Sequence, residues 1–166
     1  MLPGQRATGN GQRATPNGQR APGTGHRVTF LPMLALNLHH TAIAVFDLDE
    51  AIERFGALYG VEPLYREVVA TQDVEEAMLP LGGSYLQLLM PLSPDGPVGR
   101  FLDRRGEGLH HIAVQVADID AALRHLADEG ARLVDTEARV GGGGHRIAFV
   151  HPGSFAGTLL ELVEVA

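Results

Sequence analysis

The sequence predicts an α+β fold: two tandem β-α-β-β-β modules whose strands pair into one curled mixed sheet around a shared cleft. Three observations predict it. A segment that begins Leu-His-His at Leu38 and closes on Gly60 returns 71 residues later, from Leu109 to Gly130. Each copy runs from an apolar strand through an acidic turn into an amphipathic helix. Three short strand-like runs follow each helix, separated by turn residues. Such modules bury their apolar faces by pairing edge to edge, and a cleft between repeated halves is a natural ligand site.

The first thirty or so residues form a degenerate heptapeptide repeat, GQRATGN, GQRATPN, GQRAPGT, GHRVTFL. They hold too few large apolar side chains to offset the entropy of ordering. Residues 1–36 are therefore expected to be a disordered low-complexity extension. The folded domain is expected over 37–166, with modules at about 37–91 and 108–166. In the first module the strand LHHTAIAV leads to Asp47 and Asp49, residues suited to N-capping. The helix that follows carries an apolar stripe of Ile52, Phe55 and Tyr59 and stops at Gly60. Strands are expected at roughly 63–69, 74–81 and 85–90, with a turn at Gly82-Gly83. In the second module LHHIAVQV precedes Asp118 and Asp120, a helix bearing Ala122, Leu123 and Leu126, and then Gly130. Strands are expected at roughly 132–136, 146–150 and 158–163, with a turn at 154–157.

Composition narrows the chemistry. The 166 residues suffice for one domain with a real core, and 45% hydrophobic with 20% charged residues is ordinary for a soluble globular chain. No apolar run is long enough to cross a bilayer and no secretory pattern opens the chain, so the expectation is a cytoplasmic protein with no membrane partner. Without Cys there are no disulfides, thiolate metal sites or Cys nucleophiles. All 13 basic residues are Arg, which excludes Schiff-base chemistry on Lys. A net charge of −7 argues against a nucleic-acid partner. An acidic chain with eight His suits a divalent cation held by N and O ligands.

Strand alternation singles out four residues. His40 should share a face with Ala42 and Ala44, and His111 with Ala113 and Gln115, while His39 and His110 should point the other way. The last strand of each module carries one polar residue in an apolar run: Gln87 in YLQLL and Glu161 in LLELV. A lone carboxylate is costly to bury unless it has a partner. A cation shared by His40, Gln87, His111 and Glu161 would supply one and leave two coordination positions open. Each residue alone reads more simply as a structural histidine or an edge-facing polar side chain; four at matching places in two repeats point to a metal cleft.

Beyond this pattern, several words carry a resemblance: LHHTAIAV, YLQLLMP, GEGLHHIAVQVADIDAAL, GGGGHRIAFVHP and GTLLELVE. Over about 38–165 the chain resembles the methylmalonyl-CoA epimerases of the vicinal-oxygen-chelate (glyoxalase/bleomycin-resistance/dioxygenase) superfamily. The repeat indicates only the superfamily; GEGLHHIA and RIAFVHP favour the epimerase branch. The resemblance implies the vicinal-oxygen-chelate fold and His40, Gln87, His111 and Glu161 as metal ligands. It also implies a divalent ion, cobalt(II) first, with zinc, manganese or nickel as alternatives. Activity would be interconversion of (2R)- and (2S)-methylmalonyl-CoA in propionate metabolism, by metal-assisted α-proton abstraction through an enolate. An acyl-CoA substrate and a homodimer go with it. The family's second catalytic carboxylate follows a Gln-Gly-Val word; here the word is Gln72-Asp73-Val74 and the matching carboxylate is Glu76. From the residues alone, Glu75-Glu76 reads as a solvated acidic pair. With the resemblance, Glu76 and Glu161 become the acid/base pair that inversion of a carbon centre requires. Arg146, beside the four-glycine run, and Arg104-Arg105 are candidates for the CoA phosphates. The alternatives are another metal-dependent glyoxalase-like lyase or isomerase, an extradiol dioxygenase, or a metal-free small-molecule-binding protein of the resistance type. A fourth protein ligand argues against the dioxygenase.

Overall fold

A computed structural model describes residues 34–166 of the chain. The expected extension, residues 1–36, lies outside the described residues save for its last three, and the first strand already begins at Ala35. The first module comprises β1 (Ala35–Ala44), α1 (Leu48–Tyr59), β2 (Tyr65–Val69), β3 (Val74–Leu81) and β4 (Ser84–Pro91). A connecting helix, α2 (Pro97–Arg105), precedes β5 (Gly108–Val116), α3 (Ile119–Asp128), β6 (Arg139–Val140), β7 (Arg146–Val150) and β8 (Leu159–Glu164). All eight strands form one mixed sheet in the order β2-β3-β4-β1-β5-β8-β7-β6, curled into a half-barrel. Within the modules β1 runs parallel to β4 and β5 parallel to β8. The modules join at the centre, where β1 and β5 are antiparallel.

Local chemistry sets the two module helices. At α1 the extended Asp47 accepts the Glu50 amide at 2.9 Å, and at α3 Asp118 accepts the Ala121 amide at 2.8 Å. Each satisfies an amide that has no partner inside its helix. Gly60 ends α1 with φ 68°, a left-handed turn that a side chain would resist. Leu48 and Ala51 of α1 pack on Ala77, Leu79 and Leu88 of the convex sheet face. Ile119, Ala122 and Leu123 of α3 do the same on Ala148, Val150, Leu160 and Leu162. Full burial of each such Leu or Ile stabilises by about 1.5–3 kcal/mol, which holds the helices outside and leaves the concave face free.

Two features differ from expectation. The strand expected at 132–136 does not form; of it, Leu133 alone makes a bridge, to Val150. The amides of Val134 and Asp135 both converge on the Phe149 carbonyl, and the Asp135 carboxylate accepts the Phe149 amide at 2.9 Å. A side chain thus takes a donor that a strand ladder would use, and pairing resumes only at β6. The second feature is α2, which the periodicity did not single out. Gly96 and Pro97 start it and Gly106 ends it. Its Val98 and Leu102 close one end of the concave face over Ala42, Ala44, Val74 and Leu89.

Candidate metal centre

The four central strands β4, β1, β5 and β8 each deliver one of the predicted donors. Their placement follows one rule in both modules. Gln87 lies opposite Ala42 and Glu161 opposite Ala113, in each case the small residue two places after the histidine. The alanines leave room, and alternation turns all four polar side chains to the concave face. His40, Gln87, His111 and Glu161 are each at most 6% exposed.

Three of them converge. The Nε2 atoms of His40 and His111 are 3.1 Å apart, and they lie 3.1 and 3.4 Å from Glu161 Oε2. Such separations are the edges expected of a coordination shell with bonds of about 2.1 Å. His40, His111 and Glu161 form the group among the described residues whose donor atoms could hold a metal ion. Gln87 stands beside them differently: its amide donates to Glu76 Oε2 at 2.8 Å, while its Oε1 is buried with no partner. An acceptor so placed is costly unless a cation or donor meets it. Two imidazoles, a carboxylate and an orphaned amide oxygen therefore fit a divalent ion of borderline character. Burial alone would raise Glu161, but hydrogen bonds from His111 and His40 outweigh it and pull its pKa to about 2.

Glu76, on β3, is 1% exposed and faces the same chamber, whereas Glu75 turns outward and pairs with Arg66 at 2.6 Å. Burial, then the charges of Glu67 and Glu161, push the Glu76 pKa up to about 7, against a smaller opposing effect of the Gln87 hydrogen bond. Glu76 Oε1 has no hydrogen-bond partner. The chamber, about 20 Å³, is lined by His40, Glu76, Gln87, Gly142, His145 and Glu161. Larger hollows adjoin it, one of about 460 Å³ bordered by Tyr65, Tyr85 and His145, the other of about 260 Å³ bordered by Gln72, His111 and Phe149.

Sequence reasoning missed three things here. The four-glycine run is part of the chamber wall: a Cβ on Gly142 would collide with Glu76 Oε1, so the glycine is what lets the carboxyl sit there. The Gly143 amide is anchored on Glu67 at 2.6 Å. A Gly-rich run beside a strand was the available signal. Secondly, His39 and His110 do not face away from the site. Each sits at a register shift in the β1–β5 ladder and bonds the adjacent histidine of the candidate metal cluster. Finally, Arg146 is paired with Asp120 and Glu164, at 2.8 and 3.1 Å. Arg104 and Arg105 lie in the exposed last turn of α2.

Residues 39–149 match the Glyoxalase/Bleomycin resistance protein/Dioxygenase superfamily. The ethylmalonyl-CoA/methylmalonyl-CoA epimerase of Cereibacter sphaeroides is 35% identical over 130 residues, 77% of this chain and 97% of that protein. The structure of a variant of Streptomyces coelicolor methylmalonyl-CoA epimerase, in complex with 2-nitronate-propionyl-CoA, is similar at TM-score 0.76. It is 43% identical over 80% of this chain and 96% of that one. Methylmalonyl-CoA epimerase from Mycobacterium tuberculosis is similar at TM-score 0.78, 39% identical over 84% of this chain and 95% of that one. With this sheet and this cluster of donors, the chain belongs to the methylmalonyl-CoA epimerase family of the glyoxalase/bleomycin resistance protein/dioxygenase superfamily.

Proposed function

We propose that the protein is an isomerase that interconverts the (2R) and (2S) forms of methylmalonyl-CoA. The observation that carries the reading is a pair of buried carboxylates in one chamber, Glu76 and Glu161, whose surroundings drive their proton affinities apart. Two such groups are what removal and return of a proton on opposite faces of one carbon require. The named relatives supply the substrate class, an acyl-CoA with an acidic α-carbon.

His40, Gln87, His111 and Glu161 would hold the divalent ion. When bound, that ion supplies Lewis-acid polarisation of the thioester oxygen, which makes the α-proton acidic enough to remove. Glu76 takes the proton: burial keeps its carboxylate poorly solvated and its basicity raised, and Gln87 fixes the orientation of its Oε2. Gly142 packs against its other oxygen and limits its motion. On the far side, a water held beside the ionised Glu161 gives up a proton to the carbon, with Glu161 accepting a hydrogen bond from that water and orienting it. The reacting carbon would sit where the chamber opens into the adjoining hollow of about 460 Å³, whose walls limit the access of bulk water to the planar enolate.

Cobalt(II), with zinc, manganese or nickel as alternatives, remains the proposed ion, since the donor set mixes N and O ligands. A homodimer, a cytoplasmic setting and a place in propionate metabolism complete the proposal; among the described residues no helix is long and apolar enough to cross a membrane. The buried unpaired Gln87 oxygen disfavours the metal-free binding protein, which would have no use for it. The decisive experiment follows the α-proton of methylmalonyl-CoA in D₂O. The expected result is exchange with solvent that stops on chelation and resumes on adding the ion. Absence of exchange by metal-loaded protein would overturn the reading.

A further inference from the structure

The β1–β5 ladder shifts register at three places, and the two nearest the metal centre share a cause. Leu38 lies opposite Val114 and His40 opposite Ala113, so His39 is an extra residue on β1. Ala42 lies opposite His111 and Ile43 opposite Leu109, so His110 is an extra residue on β5. Each is a β-bulge, and each falls on the first histidine of its Leu-His-His word. A bulge breaks alternation and re-aims a side chain. Here it swings the outer histidine beside the inner one, with Nδ1 to Nδ1 distances of 2.8 Å for His39–His40 and 2.9 Å for His110–His111.

We infer that His39 and His110 are positioning residues: each accepts the Nδ1 proton of the neighbouring ligand imidazole and so reserves that ligand's Nε2 for the metal. The inference rests on the metal reading given above. A neutral imidazole has one N–H and one lone pair. If Nε2 of His40 and His111 coordinate, their protons sit on Nδ1, and at these distances Nδ1 of the outer ring must accept. His39 and His110 then carry their own protons on Nε2. Outer partners of this kind fix tautomer and ring orientation and raise the basicity of the ligand.

The outer rings are themselves held. His39 sits edge-on to His145 and tilted against Tyr85, each at 5.6 Å between centroids, and His110 is edge-on to Phe101 at 5.0 Å. Repetition strengthens the case, because the extra residue lies on β1 in one module and on β5 in the other, yet both give the same imidazole pair.

The test separates an acceptor from a packed ring. His39→Phe and His110→Phe keep an aromatic ring without the acceptor nitrogen. His39→Asn and His110→Asn keep an acceptor oxygen at the same bond distance from Cα. Metal-stripped protein is titrated with Co(II) and followed by visible absorption. The Phe variants should bind about 10- to 100-fold more weakly than wild type, and the Asn variants should recover most of that loss. In zinc-loaded wild type, ¹⁵N spectra of labelled histidine should show the Nε2–H tautomer for His39 and His110. Phe variants that bind as tightly as wild type, equal losses in Phe and Asn variants, or Nδ1–H tautomers at His39 and His110 would each overturn the inference while leaving the metal site standing. A wild type that takes up no Co(II) would overturn the metal reading and this inference with it.

Discussion

Glu76 and Glu161 show how neighbours, rather than residue type, assign roles. Glu161 is hydrogen-bonded to two imidazoles and stays ionised; Glu76 meets an amide, a glycine backbone and other carboxylates, and holds its proton far more tightly. Glu76→Gln removes the proposed base but keeps the shape. It should lower kcat by about 10²- to 10⁴-fold with the metal content of the purified protein unchanged. Normal turnover, or loss of the ion, would sink the assignment. Gly142→Ala tests the cradle around the same carboxyl. Its methyl would displace Glu76 Oε1, so kcat should fall while Co(II) affinity stays near wild type. At this scale the burial of four polar side chains on one face was legible: Gln87 and Glu161 each stand alone in an apolar run, and alternation with small alanines turns His40 and His111 inward. Glu76 was legible only through the resemblance, since beside Glu75 it looks like half of a solvated pair; along β3, alternation buries one and turns the other outward.

At the scale of elements, the helices were legible wherever local chemistry sets them. Asp47, Asp118 and Gly60 act through their own backbone neighbours, so position in the chain is enough to read them. Asp118→Ala should lower stability by about 1 kcal/mol, read as a lower thermal midpoint with the α3 packing otherwise intact. An unchanged midpoint would mean that Glu164, which accepts the Ile119 amide at 2.7 Å, already suffices to hold the helix start. The bulges at His39 and His110 were not legible, because a register between strands 71 residues apart leaves no trace in a single period-2 pattern. α2 was missed for a related reason: its buried side is short, essentially Val98, Gly99 and Leu102, and its stop and start signals frame too few turns to stand out. The Gln72-Asp73-Val74 word also resolves at this level. Asp73 adopts φ 58°, a conformation the glycine of the family word takes freely, and its carboxyl is held by Ser93 against the start of α2.

For the whole molecule, the buried imidazoles dominate the response to acid. His39 and His110 have pKa values lowered to about 4, chiefly by burial, and His111 is lowered by the same cause. Groups lowered on folding contribute stability that is complete above their unfolded value of about 6.5 and is lost as pH falls toward 4. Glu76, raised to about 7, acts in the opposite sense over nearly the same window, since the native state binds its proton more tightly. Three histidines oppose one carboxyl, so the thermal midpoint of chelator-treated protein should fall between pH 6.5 and 4. A flat or rising profile would show that these imidazoles are protonated in the native state. The topology was legible as a whole, because the repeat of helix, strands and caps constrains how two modules can close; the strand expected at 132–136 failed where Asp135 substituted its side chain for a backbone partner.

The seam between β1 and β5 has one further consequence, for the order of events in folding. Each half of the chain owns one imidazole and one oxygen donor of the proposed shell, so neither half would chelate strongly by itself, and capture of the ion would have to wait until the seam has closed. In refolding from denaturant, the colour of bound cobalt should then arrive no earlier than the slowest step of backbone assembly. The metal becomes a clock for the meeting of distant sequence rather than a nucleus around which the chain collapses.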